Sequence, residues 1–306
     1  MRIRSAAFFV FSLFCLGAQA QTPQPQAALP MDGTNAVRMK DIPYSPDAKI
    51  TVERRGQTVL IGLNRTDIDN RLDPEATESL AKAYFDYDRD DSLRAAVLFG
   101  YGDNFSKGID VEAFKAVAQG NRPLMKGEGF IDPMQRKQPI LTKPLIVAVH
   151  GDTWNMAHEI FLAADIRIAA ENTNFGQDEN THGRFPGGGG TVRFPREVGW
   201  GNAMRYILTG DHWNAREAYR MGEVQEVVPT AKDALDEAIK IADKIATNGP
   251  LGIKASLATA HRRIDGAEQA AFSGLEAQYR GLYKTHDFQE GRDAEAQRRA
   301  PVYLGR

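Results

Sequence analysis

Residues 150–190 read HGDTWNMAHEIFLAADIRIAAENTNFGQDENTHGRFPGGGG. An apolar run, Pro144-Leu-Ile-Val-Ala-Val149, leads into a turn at Gly151-Asp152. A short segment rich in Ala, Ile, Leu and Phe follows with one carboxylate in it, Glu159. Next come a second strand-like run, Ile166-Arg-Ile-Ala169, and Phe175-Gly176-Gln177 with another carboxylate at Glu179; a glycine run closes the stretch. The spacing predicts strand, turn, short helix and strand, with a glutamate beside each turn. Glu159 lies in Ala157-His-Glu-Ile-Phe-Leu-Ala-Ala164, apolar enough to be buried. A buried carboxylate is costly unless it is paired or used, and burial raises its pKa toward a catalytic range. It therefore reads either as a working acid/base or as the structural partner of an arginine. Glu179, in a polar run, reads either as its counterpart or as a solvated loop residue.

The rest of the chain alternates strands and helices, which predicts an α/β fold with crossover units. Ile50-Thr-Val-Glu-Arg and Thr58-Val-Leu-Ile-Gly-Leu63 flank Arg55-Gly56-Gln57 as a hairpin. Pro74 opens a helix behind a capping Asp73. A strand ending at Phe99, a helix over 111–118 and a loose polar insert over 120–138 follow. Beyond the glycines come helices broken near Gly199, a strand over 224–228 and a helix over 231–248 stopped by Gly249-Pro250. The division expected is 1–20 signal peptide, 21–49 flexible lead-in, 50–250 α/β core and 251–306 C-terminal helical region.

The first segment pairs a basic start (Arg2, Arg4) with an apolar run to Gly17 and a small-x-small site, Ala18-Gln19-Ala20. That pattern predicts secretion to the periplasm or beyond rather than a membrane span. The sole cysteine, Cys15, leaves with it, so no disulfide is expected in the mature chain. The formal charge of −2 becomes −4 once Arg2 and Arg4 are removed. Nothing in that balance suggests a nucleic-acid partner, and the scattered histidines give no metal-ligand spacing.

Six blocks, in order, resemble one family. Asn64-Arg65 with Asn70 and Leu72 resembles N-R-P-x-x-x-N-A-L, and Phe105-Ser-Lys-Gly-Ile-Asp110 resembles F-x-x-G-x-D. Ala148-Val-His-Gly151 followed by Glu159 resembles A-x-x-G-x₇-E, and Phe175-Gly-Gln-Asp-Glu179 with 186–191 resembles F-G-x-P-E…P-G-x-G-G-T. Leu208-Thr-Gly210 with Ala215 and Ala218, and Asp287-Phe-Gln-Glu-Gly291, complete the set. The chain thus resembles the crotonase, or enoyl-CoA hydratase/isomerase, superfamily from about residue 50 to 298. The resemblance implies a spiral of ββα units with a C-terminal helical region that builds a homotrimer or hexamer. It implies an oxyanion hole of the Ile109 and Met156 N–H groups, holding a thioester carbonyl as it becomes an enolate. It implies that Glu159 and Glu179 share a water, activating it toward the β-carbon and delivering a proton to the α-carbon. The expected substrate is a small molecule, an acyl-CoA thioester, with no cofactor. Ser106, Lys107, Gly108, Asp110, Asn155, His158 and Gly176 are the expected substrate-binding residues.

The chain departs from the family pattern in several places, beginning with Thr66 where N-R-P has its proline. Asn155-Met-Ala-His158 stands where the helix usually opens with glycines, Asp178 replaces the proline of F-G-x-P-E, and Glu112 replaces a basic residue. Lys107 is either a substitute for that base or an exposed lysine with no role, and His158 either an extra acid/base or a hydrogen-bonded core histidine. With the export signal, these departures keep two alternatives open. One is a CoA-independent hydrolase of β-diketones or esters, the other a non-catalytic binding protein whose pocket Met156 fills.

Overall fold

The computed structural model describes residues 48–304 of the chain. The expected signal peptide and all of the lead-in except Ala48 and Lys49 lie outside the described residues. Those two already belong to the fold, since Lys49 O accepts from Asn64 N at 2.9 Å and its Nζ reaches Asp73 at 2.7 Å.

The hairpin forms as expected from β1 (Ile50–Arg55) and β2 (Thr58–Leu63), paired antiparallel across the turn. Asp73 caps α1 (Pro74–Arg89), accepting from Ala76 N at 2.7 Å. Then come β3 (Ala95–Gly100), α2 (Lys115–Ala118), β4 (Leu145–Val149), β5 (Asp152–Trp154), α3 (Met156–Leu162), β6 (Ile166–Ala170) and β7 (Asn174–Gly176). The second half holds α4 (Gly190–Val198), α5 (Trp200–Thr209), β8 (Trp213–Asn214), α6 (Ala215–Met221), β9 (Glu226–Val228), α7 (Ala231–Ala246), α8 (Pro250–Leu282) and α9 (His286–Gln297).

The strands form a six-stranded sheet ordered β1-β2-β3-β4-β6-β9, parallel except for the hairpin, and a small sheet ordered β5-β7-β8. In β2, β3 and β4 every residue is buried, which is why they read as unbroken apolar runs rather than alternating ones. Leu145, Val147 and Val149 face a core shared with Leu80, Tyr84 and Phe161, while Ile146 and Ala148 face Leu235 and Ile239 of α7. The sheet is thus covered on both sides, and the chain leaving the carboxyl ends of β2, β3 and β4 must form loops at one edge. Ligand sites of parallel sheets lie at that edge.

Two expectations need correction. Helix 111–118 shrinks to Lys115–Ala118, because Asp110 turns the chain first, its Oδ1 accepting from Ala113 N at 3.2 Å. The small sheet was not foreseen; pieces of two or three residues carry no readable period. Among the described residues no helix is long and apolar enough to cross a membrane.

Candidate active site

The loops at the carboxyl ends of β3 and β4 meet through one glycine. Gly108 has φ +86°, and a Cβ there would lie 3.2 Å from Asn155 Cβ and 3.6 Å from Met156 N. A side chain at 108 would therefore wedge the two loops apart. Their contact sets the N–H groups of Ile109 and Met156 on one cavity, and neither has a hydrogen-bond partner among the described residues. Buried or half-buried amides without partners are rare enough to ask for a ligand.

The cavity has a volume of 810 Å³, and both glutamates line it. Glu159, on the first turn of α3, is buried. Its Oε1 accepts from Gly188 N at 2.7 Å and Gly190 N at 2.9 Å. This gives the glycine run its reason: a Cβ at Gly188 would fall on Glu159 Oε2 and the Met134 sulfur, and one at Gly190 on Gln177 Oε1. Burial pushes the Glu159 carboxyl up, and the two amides and the nearby Arg136 partly offset the push. Glu179 opens a single 3-10 turn to His182, and Gln177 Nε2 donates to it at 3.2 and 3.4 Å. Burial and the neighbouring Glu159 drive its pKa well above the ordinary carboxylate value, while Arg184 pulls weakly the other way. Two carboxyl groups on one cavity resist double ionisation, because the charge of each raises the cost of ionising the other. The doubly hydrogen-bonded Glu159 is the better anion and Glu179 the better acid.

Of the eleven residues expected at the site, Lys107, Ile109, Asn155, Met156, Glu159 and Glu179 line the cavity. Lys107 lines the cavity with its charge already partnered. Its ammonium is tied to Asp69 at 3.1 Å and Asp152 at 3.3 Å and lies over the Trp154 ring. Met156 lines the cavity and leaves it open.

The other five do not line it. Ser106 is buried and holds the turn, donating to Asn70 O at 2.8 Å and accepting from Gly108 N at 3.1 Å. Gly108 acts through the close approach above, and Asp110 caps the turn after it. Gly176 accepts from Asn155 N at 2.8 Å and leaves room for His212, which a Cβ would strike at 2.7 Å. His158 points into the core. Its Nε2 bonds Glu223, whose other oxygen accepts from Trp213 Nε1 at 2.7 Å, and Phe161, Phe175 and Phe194 surround the ring. The core-histidine reading holds, and of the two polar side chains behind the diketone-cleaving alternative, Asn155 and His158, only Asn155 lines the cavity.

Sequence reasoning missed a whole wall. The insert over 120–138, read as loose and polar, supplies Leu124, Met125, Asp132, Met134 and Arg136 to the cavity. Arg136 Nε donates to the buried Asp132 at 2.8 Å. From the far side α8 adds Phe272 and Leu275. The insert has no period to betray it; the apolar Leu-Met and Ile-Asp-Pro-Met punctuation was the available signal.

Comparison with known proteins agrees with this geometry. Residues 53–306 match the family described as enoyl-CoA hydratase/isomerase. An enoyl-CoA hydratase of Mycobacterium tuberculosis is 34% identical over 271 residues, covering 88% of this chain and all of that protein. A probable enoyl-CoA hydratase/isomerase from Mycobacterium abscessus has a crystal structure with TM-score 0.70 at 41% identity, covering 86% of this chain and 100% of that one. The carnitinyl-CoA hydratase structure from Mycobacterium avium has TM-score 0.76 at 31% identity over 84% of this chain and 98% of its own. The sheet order, the helical C-terminal region and these matches agree: the chain belongs to the enoyl-CoA hydratase/isomerase, or crotonase, family.

Proposed function

We propose that this protein adds water to, or removes it from, an α,β-unsaturated acyl-CoA thioester. The observation that carries this is the unequal pair of glutamates on one cavity: Glu159 bonded by two amides, Glu179 held well above the ordinary carboxylate range. In hydration the thioester oxygen accepts from the Ile109 and Met156 amides. Glu159 takes a proton from water as its oxygen bonds the β-carbon, and the π electrons move through the α-carbon onto the carbonyl as an enolate. Glu179 then protonates the α-carbon. Fixed donors need no reorganisation as that charge develops. Each turnover moves one proton onto Glu159 and one off Glu179, and exchange between the two restores the start. The chemistry calls for water and these groups, with no metal or organic cofactor. Arg71, Arg122, Lys137 and Arg280 also line the cavity and suit the phosphates of a CoA carrier, in place of the base that Glu112 displaces.

The test is turnover of crotonyl-CoA and longer enoyl thioesters by purified protein. Glu159→Gln and Glu179→Gln should each lower kcat by about 10²–10⁴-fold, the span of a lost general acid or base. Chelator treatment should leave the rate unchanged. No turnover at any chain length, with no thioester binding by calorimetry, overturns the proposal.

We further infer a divergent, exported member of the family, from the leader over 1–20 and from the changes at Asn155, Met156 and Asp178. Fractionation should find a mature chain starting at Gln21 outside the cytoplasm; full-length protein confined to the cytosol refutes it. A homotrimer or hexamer built on the 251–306 helices is the assembly expected, and light scattering reads it directly.

A further inference from the structure

Asn155 sits at φ 53°, ψ −121°, a backbone conformation that suits glycine and strains a residue with a Cβ. Asn is among the few side chains that tolerate positive φ, yet this ψ lies far from the left-handed well. Its neighbours account for its presence there. Asn155 N donates to Gly176 O at 2.8 Å, and its Oδ1 accepts from Asp178 N at 3.1 Å. One residue thus holds both ends of the Gly176–Asp178 segment that delivers Glu179. On the other side its Cβ stands where a side chain on Gly108, the residue before Ile109, would collide at 3.2 Å, and its own carbonyl carbon carries the Met156 amide.

We propose that Asn155 is a positioning residue that braces the Glu179 turn against the Ile109 and Met156 amides. The pattern this chain departs from makes the same point. There a glycine stands at position 155 and a proline at 178. Proline has no N–H to donate, and its ring fixes φ by itself. Here Asp178 has an N–H and a free φ of −98°, and Asn155 has the acceptor that takes up that N–H. A hydrogen bond replaces a ring as the device that fixes the turn, and the two departures work as one exchange. The side chain of Asp178 is placed as well, its Oδ2 lying 3.2 Å from His212 Nε2. The groups that act on Glu179 from around it are Glu159 on α3, Asp178 beside it and Arg184 after the turn.

The assignment of chemical roles rests on the hydratase reading; the brace does not. The experiment compares Asn155→Gly, Asn155→Asp, Asp178→Pro and the double variant Asn155→Gly/Asp178→Pro. Asn155→Gly relieves the strained backbone, so it should fold at least as well as the parent. Even so, kcat should fall by about 10–100-fold, the cost of displacing a reacting group by about an ångström, with KM within about threefold of the parent. The alkaline limb of its pH profile should move. Asn155→Asp keeps the acceptor and should retain more activity than Asn155→Gly. The double variant should run at least about tenfold faster than the product of the two single losses, because the ring then does what the bond did. Hydrogen exchange at the Asp178 amide should be fast in Asn155→Gly and protected in Asn155→Asp. The proposal is overturned if Asn155→Gly matches the parent in kcat, pH profile and exchange, or if the single losses simply multiply. If the parent turns over no enoyl thioester, the functional reading fails, and exchange at Asp178 still decides the brace.

Discussion

Glu179 has a measurable thermodynamic cost. Burial and the adjacent Glu159 raise its pKa in the folded protein, while in the unfolded chain it ionises near the ordinary value of about 4.3. Above that value the unfolded chain has released a proton that the folded one still holds. Its contribution to stability is therefore full in acid and is lost as pH rises toward the folded pKa. Glutamine has no proton to lose. Glu179→Gln should raise the thermal midpoint near pH 8 by several degrees, of the order of 2–4 °C per kcal/mol for a chain of this size. The gain should vanish below about pH 4, where both states are protonated. On the roles proposed for them, the same shifts should set the rate profile, with activity falling in acid as Glu159 is protonated and in base as Glu179 ionises. The optimum then lies above that of an unshifted carboxylate pair. The glutamates were legible in the sequence as two carboxylates beside turns. Their meeting was legible only through the resemblance, because twenty residues of strand and turn carry no local signal of distance.

Within α3, adjacent residues serve opposite masters. Successive helical positions are turned by about 100°, so Glu159 faces the cavity while His158 enters the core. Sequence placed both in one site because the seven-residue segment is too short for a period to separate its faces. Elements with longer patterns were read well. Asp73 before Pro74, the hairpin at Gly56 and the apolar runs of β2 to β4 each carry their own chemistry or length signal. His158 has a structural burden instead. It and Trp213 both depend on Glu223, tying α3 to β8 and to the turn after α6. Glu223→Ala strands the buried ring nitrogen and the indole N–H together and should cost about 3–5 kcal/mol in denaturant titration. Glu223→Gln keeps one acceptor and one donor and should lose markedly less. Equal losses in the two variants would mean that the carboxylate with both acceptor oxygens, rather than packing volume, holds the junction.

At the scale of the whole chain, charge is unevenly placed. The formal net charge is −2, which by itself repels an anionic substrate, yet Arg71, Lys107, Arg122, Lys137 and Arg280 all line the cavity. They come from four separate regions: the loop after β2, the loop after β3, the 120–138 insert and α8. No single stretch reads as a basic patch, and only folding gathers them. Low-dielectric walls focus such a field and raise the local concentration of anions. Some of the charge is already committed, since Lys107 is paired with Asp69 and Asp152, and Arg122 meets Glu78 at 2.9 Å. The remaining field is long-range and so open to screening, with a Debye length of about 10 Å at 0.1 M salt shrinking to about 3 Å at 1 M. KM for an enoyl-CoA should therefore climb by roughly an order of magnitude between about 0.05 and 0.5 M salt, with kcat little changed, because the enclosed glutamate pair is screened far less. An enoyl thioester of a short, phosphate-free thiol offers the control. It meets the same amides and glutamates without the charge, and its KM should stay flat over the same range. A KM that climbs equally for both thioesters would place the salt effect on the fold or the glutamates and remove the cations from substrate capture.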